Sequence, residues 1–272
     1  LVFPLLTRGL RAEIISQAEL GAEFLGPSGQ EMQLLFWAVL ERAAELLGVS
    51  RRDWNAHFRV TCDLPVGGGL GASASICALV TKWLTATGRL PSDISEFDFA
   101  RRLENLFHGE SSGVDVAVAL SGRALRFTRH SGQTELHVVW SPNWAISSSH
   151  TRGITADCVK KVQEQIHREP ERGAEIDRRM AESVSRAETA LRDDVPGERR
   201  VRLLIGAIET ASSCFQDWGL ISPALDQEMK RRRDQGALAV KPTGSGGGGY
   251  VLSLWPDGGL PTDPGLIRLN QS

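Results

Sequence analysis

Apolar and polar positions change rhythm several times along the chain, and each change marks an element. Arg11 to Ile15 and Ala18 to Phe24 alternate enough to predict strands of a mixed sheet. Between Gln30 and Leu47 the period lengthens. Leu34, Leu35, Trp37, Ala38, Leu40 and Leu47 recur at helical spacing, and Gly48 is a natural stop. Phe58, Val60 and Cys62 alternate again, so a strand feeds the segment Leu64–Ser75, LPVGGGLGASAS. Beyond it Ile76, Leu79, Val80, Trp83 and Leu84 form one helical stripe that ends at Gly88. Asp98 is placed to cap a short helix through Phe107, with Phe99 and Leu103 on its apolar face. The run Ala117 to Phe127 reads as a strand-rich return over Gly122.

A second regime of composition begins near Glu135. His137 to Trp140 and Trp144 to Ile146 read as strand material, followed by a helix from about Ala156 to Arg168. Two charged helices come next, roughly Gly173 to Asp193 and Gly197 to Phe215. The expected organisation is therefore two domains, 1–135 and 136–272, of α+β class.

The strand–glycine–helix order around residue 70 is the context that a phosphate loop requires. Gly67, Gly68, Gly69 and Gly71 allow the backbone to curl with its N–H groups inward, and Ser73 falls in the first helical turn. A nest of that kind joined to a helix N-terminus binds anions. No Gly-Lys-Ser/Thr follows, so the loop is not of the Walker type. A dinucleotide fingerprint over Gly67, Gly69 and Ala72 would need a second strand and an acid about twenty residues on. Asp93 is near that distance but follows Pro91-Ser92 with no strand before it. Two more segments stand out: Glu104–Asp115, ENLFHGESSGVD, and Lys241–Tyr250, KPTGSGGGGY. In isolation Glu104 would be a solvated helix residue and Asp115 a loop cap. Beside a phosphate loop, the Ser73 hydroxyl and the Glu104 carboxylate are oxygen donors suited to Mg²⁺, and the break at His108-Gly109 lets the loop bring Asp115 beside an acceptor hydroxyl.

Bulk composition narrows the classes. The 272 residues carry a formal net charge of −2, so a broad nucleic-acid surface is not expected. The basic run Lys230 to Arg233 reads as a solvated helix face. No apolar stretch approaches the ~20 residues of a membrane span, and the start LVFPLLTRGLRAE lacks a signal-peptide layout. The four cysteines show no metal or redox spacing and read as reduced, buried small residues, which fits a cytoplasmic protein.

Taken together the three glycine- and acid-bearing segments resemble the GHMP kinases, and the middle one resembles the mevalonate kinases within that group. The resemblance implies a two-domain fold, with an N-terminal mixed β-sheet/helix domain, a C-terminal ferredoxin-like α/β sandwich and a cleft between them. It implies ATP and Mg²⁺ as cofactors and mevalonate as the alcohol acceptor, phosphorylated on its 5-hydroxyl. Nucleic acid and membrane are not expected partners, and a homodimer is left open. Family loops read GLGSS and HGxPSGxD; here they are Gly69-Leu70-Gly71-Ala72-Ser73 and His108-Gly109-Glu110-Ser111-Ser112-Gly113-Val114-Asp115. Ala72 thus replaces a serine and Ser111 a proline. Carried over, Ser73 and Glu104 are the metal ligands and Asp115 is the catalytic carboxylate. ATP contacts fall to Pro65, Gly67, Gly68, Gly69, Leu70, Gly71, Ala72, Ser73, Gly244, Ser245, Gly246 and Gly247. The substrate side falls to His108, Ser111, Ser112 and Thr151, although His108 reads equally as a structural histidine, and the two serines read as phosphate contacts ahead of simple turn formers.

One family element has no counterpart. GHMP kinases open with a PGKxxLxGEHxV-like strand, whereas this chain starts at LVFPLL, which looks like the stretch just after it. The expectation is a sequence that begins downstream of that strand. Two rivals follow: a related kinase acting on phosphomevalonate or on a sugar or heptose phosphate, and a nucleotide-binding homologue without turnover. Arg152 is the one basic residue that the sequence places near an acceptor, which weighs against a phosphorylated one.

Overall fold

The computed structural model describes residues 1–65, 69–128, 132–192 and 197–269, with His108 described by its backbone alone. The chain divides into two compact units, Val2–Glu135 and Leu136–Ser272, with Leu1 grouped with the second.

In the first unit β1 (Leu10–Ser16) and β2 (Gly21–Leu25) flank β3 (His57–Cys62). The β1–β3 pair is antiparallel and the β2–β3 pair parallel, the mixed sheet that the alternation predicts. Phe58, Val60 and Cys62 of β3 are buried, in the period-two pattern of a strand with one face on the core. Helices α1 (Gly29–Leu47), α2 (Ala72–Ala86) and α3 (Glu96–His108) supply the rest of that core. Gly48 ends α1 in the left-handed region at φ 67°, where a glycine avoids the Cβ clash. A chain of edge-to-face aromatic contacts runs from Phe36 to Phe58 to Trp83 to Trp54, with centroids 5.2, 5.1 and 5.4 Å apart. Ala74, Ile76, Cys77, Val80 and Leu84 of α2 are fully buried, which fixes this helix and the loop before it.

Two local expectations are corrected here. The cap of α3 is Ser95, whose Oγ accepts from the Asp98 N–H at 3.0 Å; Asp98 itself lies inside the first turn. Ala117 to Phe127 is not a strand-rich return. Residues Val114–Ser121 form α4, and only Leu125–Thr128 is a strand, β4, paired with β5 (Gly132–Glu135). Alternating valines mimic a strand, but Gly113 and Gly122 both take left-handed φ, 82° and 66°, and bracket a short helix. Packing against α2 overrides the β-branched composition.

The second unit holds β6 (Trp144–Ser148), α5 (Thr155–Arg168), α6 (Pro170–Ala190), α7 (Gly197–Asp217), α8 (Pro223–Asp234), β7 (Ala239–Pro242), β8 (Tyr250–Leu254) and β9 (Leu266–Arg268). Its sheet order is β7-β8-β6-β9 with every neighbour antiparallel, the order of a ferredoxin-like sheet. Helices α7 and α8 pack on β7, and α6 pairs with α7. His137 to Trp140 form no strand. The Val139 N–H, which a ladder would otherwise take, donates to Leu191 O at 3.1 Å, and the Trp140 indole Nε1–H donates to Ala190 O at 2.7 Å, so both tie this segment to the end of α6.

The basic run on α8 is solvated at Lys230, Arg231 and Arg233 and corrected at one position. Arg232 is 1 % exposed rather than solvated. Its guanidinium donates to Glu228 at 2.7 Å, Ser147 at 3.0 Å, Gln235 at 2.8 Å and Asp263 at 2.6 Å. All four cysteines are free and buried, as the absence of paired spacing suggests. Among the described residues no helix is long and apolar enough to cross a membrane.

Candidate functional site

Strand β3 delivers the chain to the glycine segment, of which Val66, Gly67 and Gly68 lie outside the described residues. Gly69 and Gly71 sit at φ 77° and 71°, a conformation that L side chains rarely adopt. Gly71 caps α2 with no side-chain acceptor on the first turn, and the Ser75 N–H begins the ladder by donating to Gly71 O at 2.8 Å. The N–H groups of the first turn therefore have no capping side chain, and the helix dipole adds positive potential there. Ala72 is buried and Ser73 half-buried at this end.

Asp115 lies beside the same end. A Cβ built on Gly71 would stand 3.9 Å from Asp115 Cβ. The carboxylate belongs to the exposed first turn of α4, not to a loop, and that turn is a favourable place for negative charge. Glu104 is the opposite case: it sits on α3 and is 2 % exposed. Its charge adds to burial in pushing up the pKa of Cys77 on α2. Cys77 is one turn beyond Ser73 on α2, and α3, which carries Glu104, packs against that helix. Ser73, Glu104 and Asp115 thus come from three mutually packed helices of one unit.

The loop between α3 and α4 is held from inside. The Ser111 hydroxyl donates to Glu104 Oε2 and accepts from the Gly113 N–H at 3.0 Å. The Ser111 N–H donates to Asn105 Oδ1 at 2.8 Å. Ser111 is buried, and its hydroxyl and N–H are both engaged inside the loop, the arrangement of the turn-forming alternative. Ser112 remains exposed, and its Oγ accepts from Val114 N–H at 3.4 Å. The side chain of His108 lies outside the described residues. The sequence reading missed Asn105. Its signal was present, since asparagine near a helix end often bonds backbone in the following loop.

The glycine run of the second unit serves a packing purpose of its own. Gly244, Gly246, Gly247 and Gly249 all have left-handed φ. Gly247 N–H donates to Leu220 O at 2.7 Å and Gly249 N–H to Thr151 O at 2.8 Å. Thr151 Oγ1 lies 3.0 Å from Ser149 Oγ, and Ser245 Oγ lies 3.2 Å from Thr155 Oγ1. The loop backbone crosses Gly153 so closely that a Cβ there would overlap Gly246 O and approach Gly248 N to 2.9 Å. Gly153→Ala is therefore expected to destabilise by about 1–3 kcal/mol, because the obstacle is backbone that cannot turn aside. A thermal melt matching the wild type would contradict this. Just before the loop, Lys241 Nζ lies 5.3 Å from the Phe215 ring centroid, and loss of hydration lowers its pKa to about 8.

The donor set suits a magnesium ion. No group of three or more His, Cys, Asp or Glu side chains that could hold a metal occurs among the described residues. Mg²⁺ in phosphoryl-transfer sites takes one or two protein oxygens and completes its shell with water and phosphate. A hydroxyl at Ser73 and a carboxylate at Glu104, beside a helix end able to bind phosphate, meet that requirement. Thiols and imidazoles, the softer donors, are not needed.

Comparison with known proteins bears on the fold that carries these residues. Residues 35–123 match the family model described as GHMP kinases N terminal domain. The mevalonate kinase of Thermococcus sibiricus is 28% identical over 247 residues, covering 85% of this chain and 72% of that protein. Among solved structures, L. major mevalonate kinase in complex with R-mevalonate superposes with a TM-score of 0.72 at 19% identity, over 91% of this chain and 77% of that one. Streptococcus pneumoniae phosphomevalonate kinase in complex with phosphomevalonate and AMPPNP gives 0.61 at 15% identity, over 90% and 82%. At such identities the structures speak for the fold: it is the two-domain α+β fold of the GHMP kinases.

Proposed function

We propose that this chain, a phosphotransferase of the GHMP kinase type acting on an alcohol, transfers the γ-phosphoryl group of ATP to the 5-hydroxyl of mevalonate. The observation that carries the reading is the placement of Asp115, exposed on the first turn of α4 next to the glycine-capped start of α2. An acid there stands where an acceptor hydroxyl would meet a bound phosphate.

The roles follow from the side chains. Backbone N–H groups of the loop at Gly69–Gly71 and of the first turn of α2 bind the phosphates and hold them still. Ser73 and Glu104 hold Mg²⁺, which when bound offsets charge on the phosphate oxygens. Asp115 accepts a hydrogen bond from the alcohol, aims its oxygen along the transfer axis and takes its proton as the new O–Pγ bond forms and the Pγ–O bond to the departing ADP breaks. In a loose transition state this alignment contributes more than early proton removal. Pro65, Gly67, Gly68, Leu70, Ala72 and, in the second unit, Gly244, Ser245, Gly246 and Gly247 are assigned to the nucleotide. His108, Ser112 and Thr151 are assigned to the acceptor. The four free, buried thiols fit a reducing, cytoplasmic setting.

ADP release, followed with mevalonate, phosphomevalonate, galactose and no acceptor, tests the proposal. Mevalonate-dependent turnover is expected, and chelation of Mg²⁺ with EDTA should abolish it. ADP release that ignores mevalonate would reject the substrate, and dependence on phosphomevalonate instead would name the rival.

A further inference from the structure

We propose that Ser111 is a positioning residue, its hydroxyl tying the carboxylate of Glu104 on α3 to the turn that opens α4 and so fixing Glu104 relative to Asp115. The inference rests on the kinase reading above and deepens it, because the family resemblance assigns no such role to this position.

The geometry is specific to serine. The Ser111 hydroxyl has one proton, which goes to Glu104 Oε2, and it accepts the N–H of Gly113 at 3.0 Å. Gly113 is the cap of α4, two residues before Asp115. Ser111 therefore bridges the two acids through three consecutive links, all inside one unit. The Ser111 N–H is also committed, to Asn105 Oδ1 at 2.8 Å, and Asn105 follows Glu104 on the same helix. A carboxylate has room for about four hydrogen bonds or metal contacts. Glu104 can thus keep its bond to Ser111 while presenting an oxygen to a cation. With Glu104 almost wholly buried, that bond helps fix which way the carboxylate plane faces. The proline found here in the resembling kinases has neither a hydroxyl nor an N–H, so it could make none of these three bonds. This chain holds its acid by hydrogen bonding, where proline would hold the loop by restricting φ.

Mn²⁺ with AMPPNP serves as the probe, its binding read by the paramagnetic resonance of bound Mn²⁺, alongside steady-state kinetics. Ser111→Ala should weaken Mn²⁺ binding in the ternary mixture by about tenfold, the range seen when a partner of a metal ligand is removed. KM for Mg·ATP should rise while KM for the alcohol stays within about twofold, and Ser111→Thr should restore both. Ser111→Pro should lose more than Ser111→Ala, since the bond to Asn105 goes too. Circular dichroism and melting of each variant show that the comparison is between folded proteins. Wild-type Mn²⁺ affinity in a folded Ser111→Ala variant would overturn the inference and leave the kinase reading intact. A folded Ser111→Thr variant as weak as Ser111→Ala would also overturn it. If the wild-type chain itself neither binds Mn²⁺·AMPPNP nor turns over mevalonate, both fall together.

Discussion

Asp115→Asn should lower kcat by about three orders of magnitude while ATP affinity changes by less than about twofold. Asparagine keeps the size and the Cβ position beside Gly71 but cannot accept the proton of the alcohol. A factor of a thousand corresponds to about 4 kcal/mol of transition-state stabilisation. Nucleotide binding is carried by backbone N–H groups on α2, which the substitution does not touch. The fold should survive, since Asp115 is exposed and its favourable place on the α4 dipole contributes only about 0.3–1 kcal/mol. Steady-state kinetics with mevalonate, together with nucleotide titration, separate the two effects. A variant retaining more than a tenth of wild-type kcat would remove Asp115 from the chemistry. Loss of ATP binding with an intact melt would instead make it a nucleotide contact.

Much of the architecture was legible in residue order because local and tertiary demands coincide. The glycines at 69 and 71 permit the positive φ that this entry into a helix takes, and their clustering made the loop legible; the buried stripe from Ile76 to Leu84 then fixed the helix behind it. The strands of the mixed sheet followed from alternation over Arg11–Ile15 and Ala18–Phe24, and the strand that feeds the loop from Phe58, Val60 and Cys62. Errors arose where the deciding contact came from elsewhere in the chain. The valines of α4 alternate like a strand, and only packing on α2 and the glycine at each end make them a helix. For Ser111 residue order left a phosphate contact and a turn former both open; no pattern in the sequence reveals that its partner is Glu104, on the preceding helix. The same limit applies to His137–Trp140, whose hydrogen bonds go to the end of α6. Side-chain commitment, more than element type, is what residue order leaves out.

Arg232 is the furthest departure from its sequence reading, and it carries the second large effect. A run of basic residues on a polar helix predicts solvated charge, yet Arg232 lies at the junction of α8, β6 and the segment before β9. Its fork joins two acids, Glu228 with its side chain 8% exposed and Asp263 at 12%. Truncation to alanine leaves both carboxylates without their main counter-charge and opens a void, so Arg232→Ala should destabilise by about 3–5 kcal/mol. Arg232→Lys should recover only part, because one ammonium cannot serve Glu228, Ser147, Gln235 and Asp263 together. Ser147→Ala, which removes a single acceptor, should cost about 1 kcal/mol. The acid side adds an independent signature. Hydrogen bonding to Arg232, then to the Gly265 N–H, lowers Asp263 from its ordinary 3.8 to about 2. The folded state then holds this proton more weakly than the unfolded chain. The stabilisation is present above pH 3.8 and drains away as pH falls towards 2. Arg232→Ala should raise the folded-state pKa of Asp263 and flatten that limb of a stability-versus-pH curve measured by urea unfolding. A variant that melts within about 1 kcal/mol of wild type, with the same acid limb, would mean that the buried guanidinium holds nothing together.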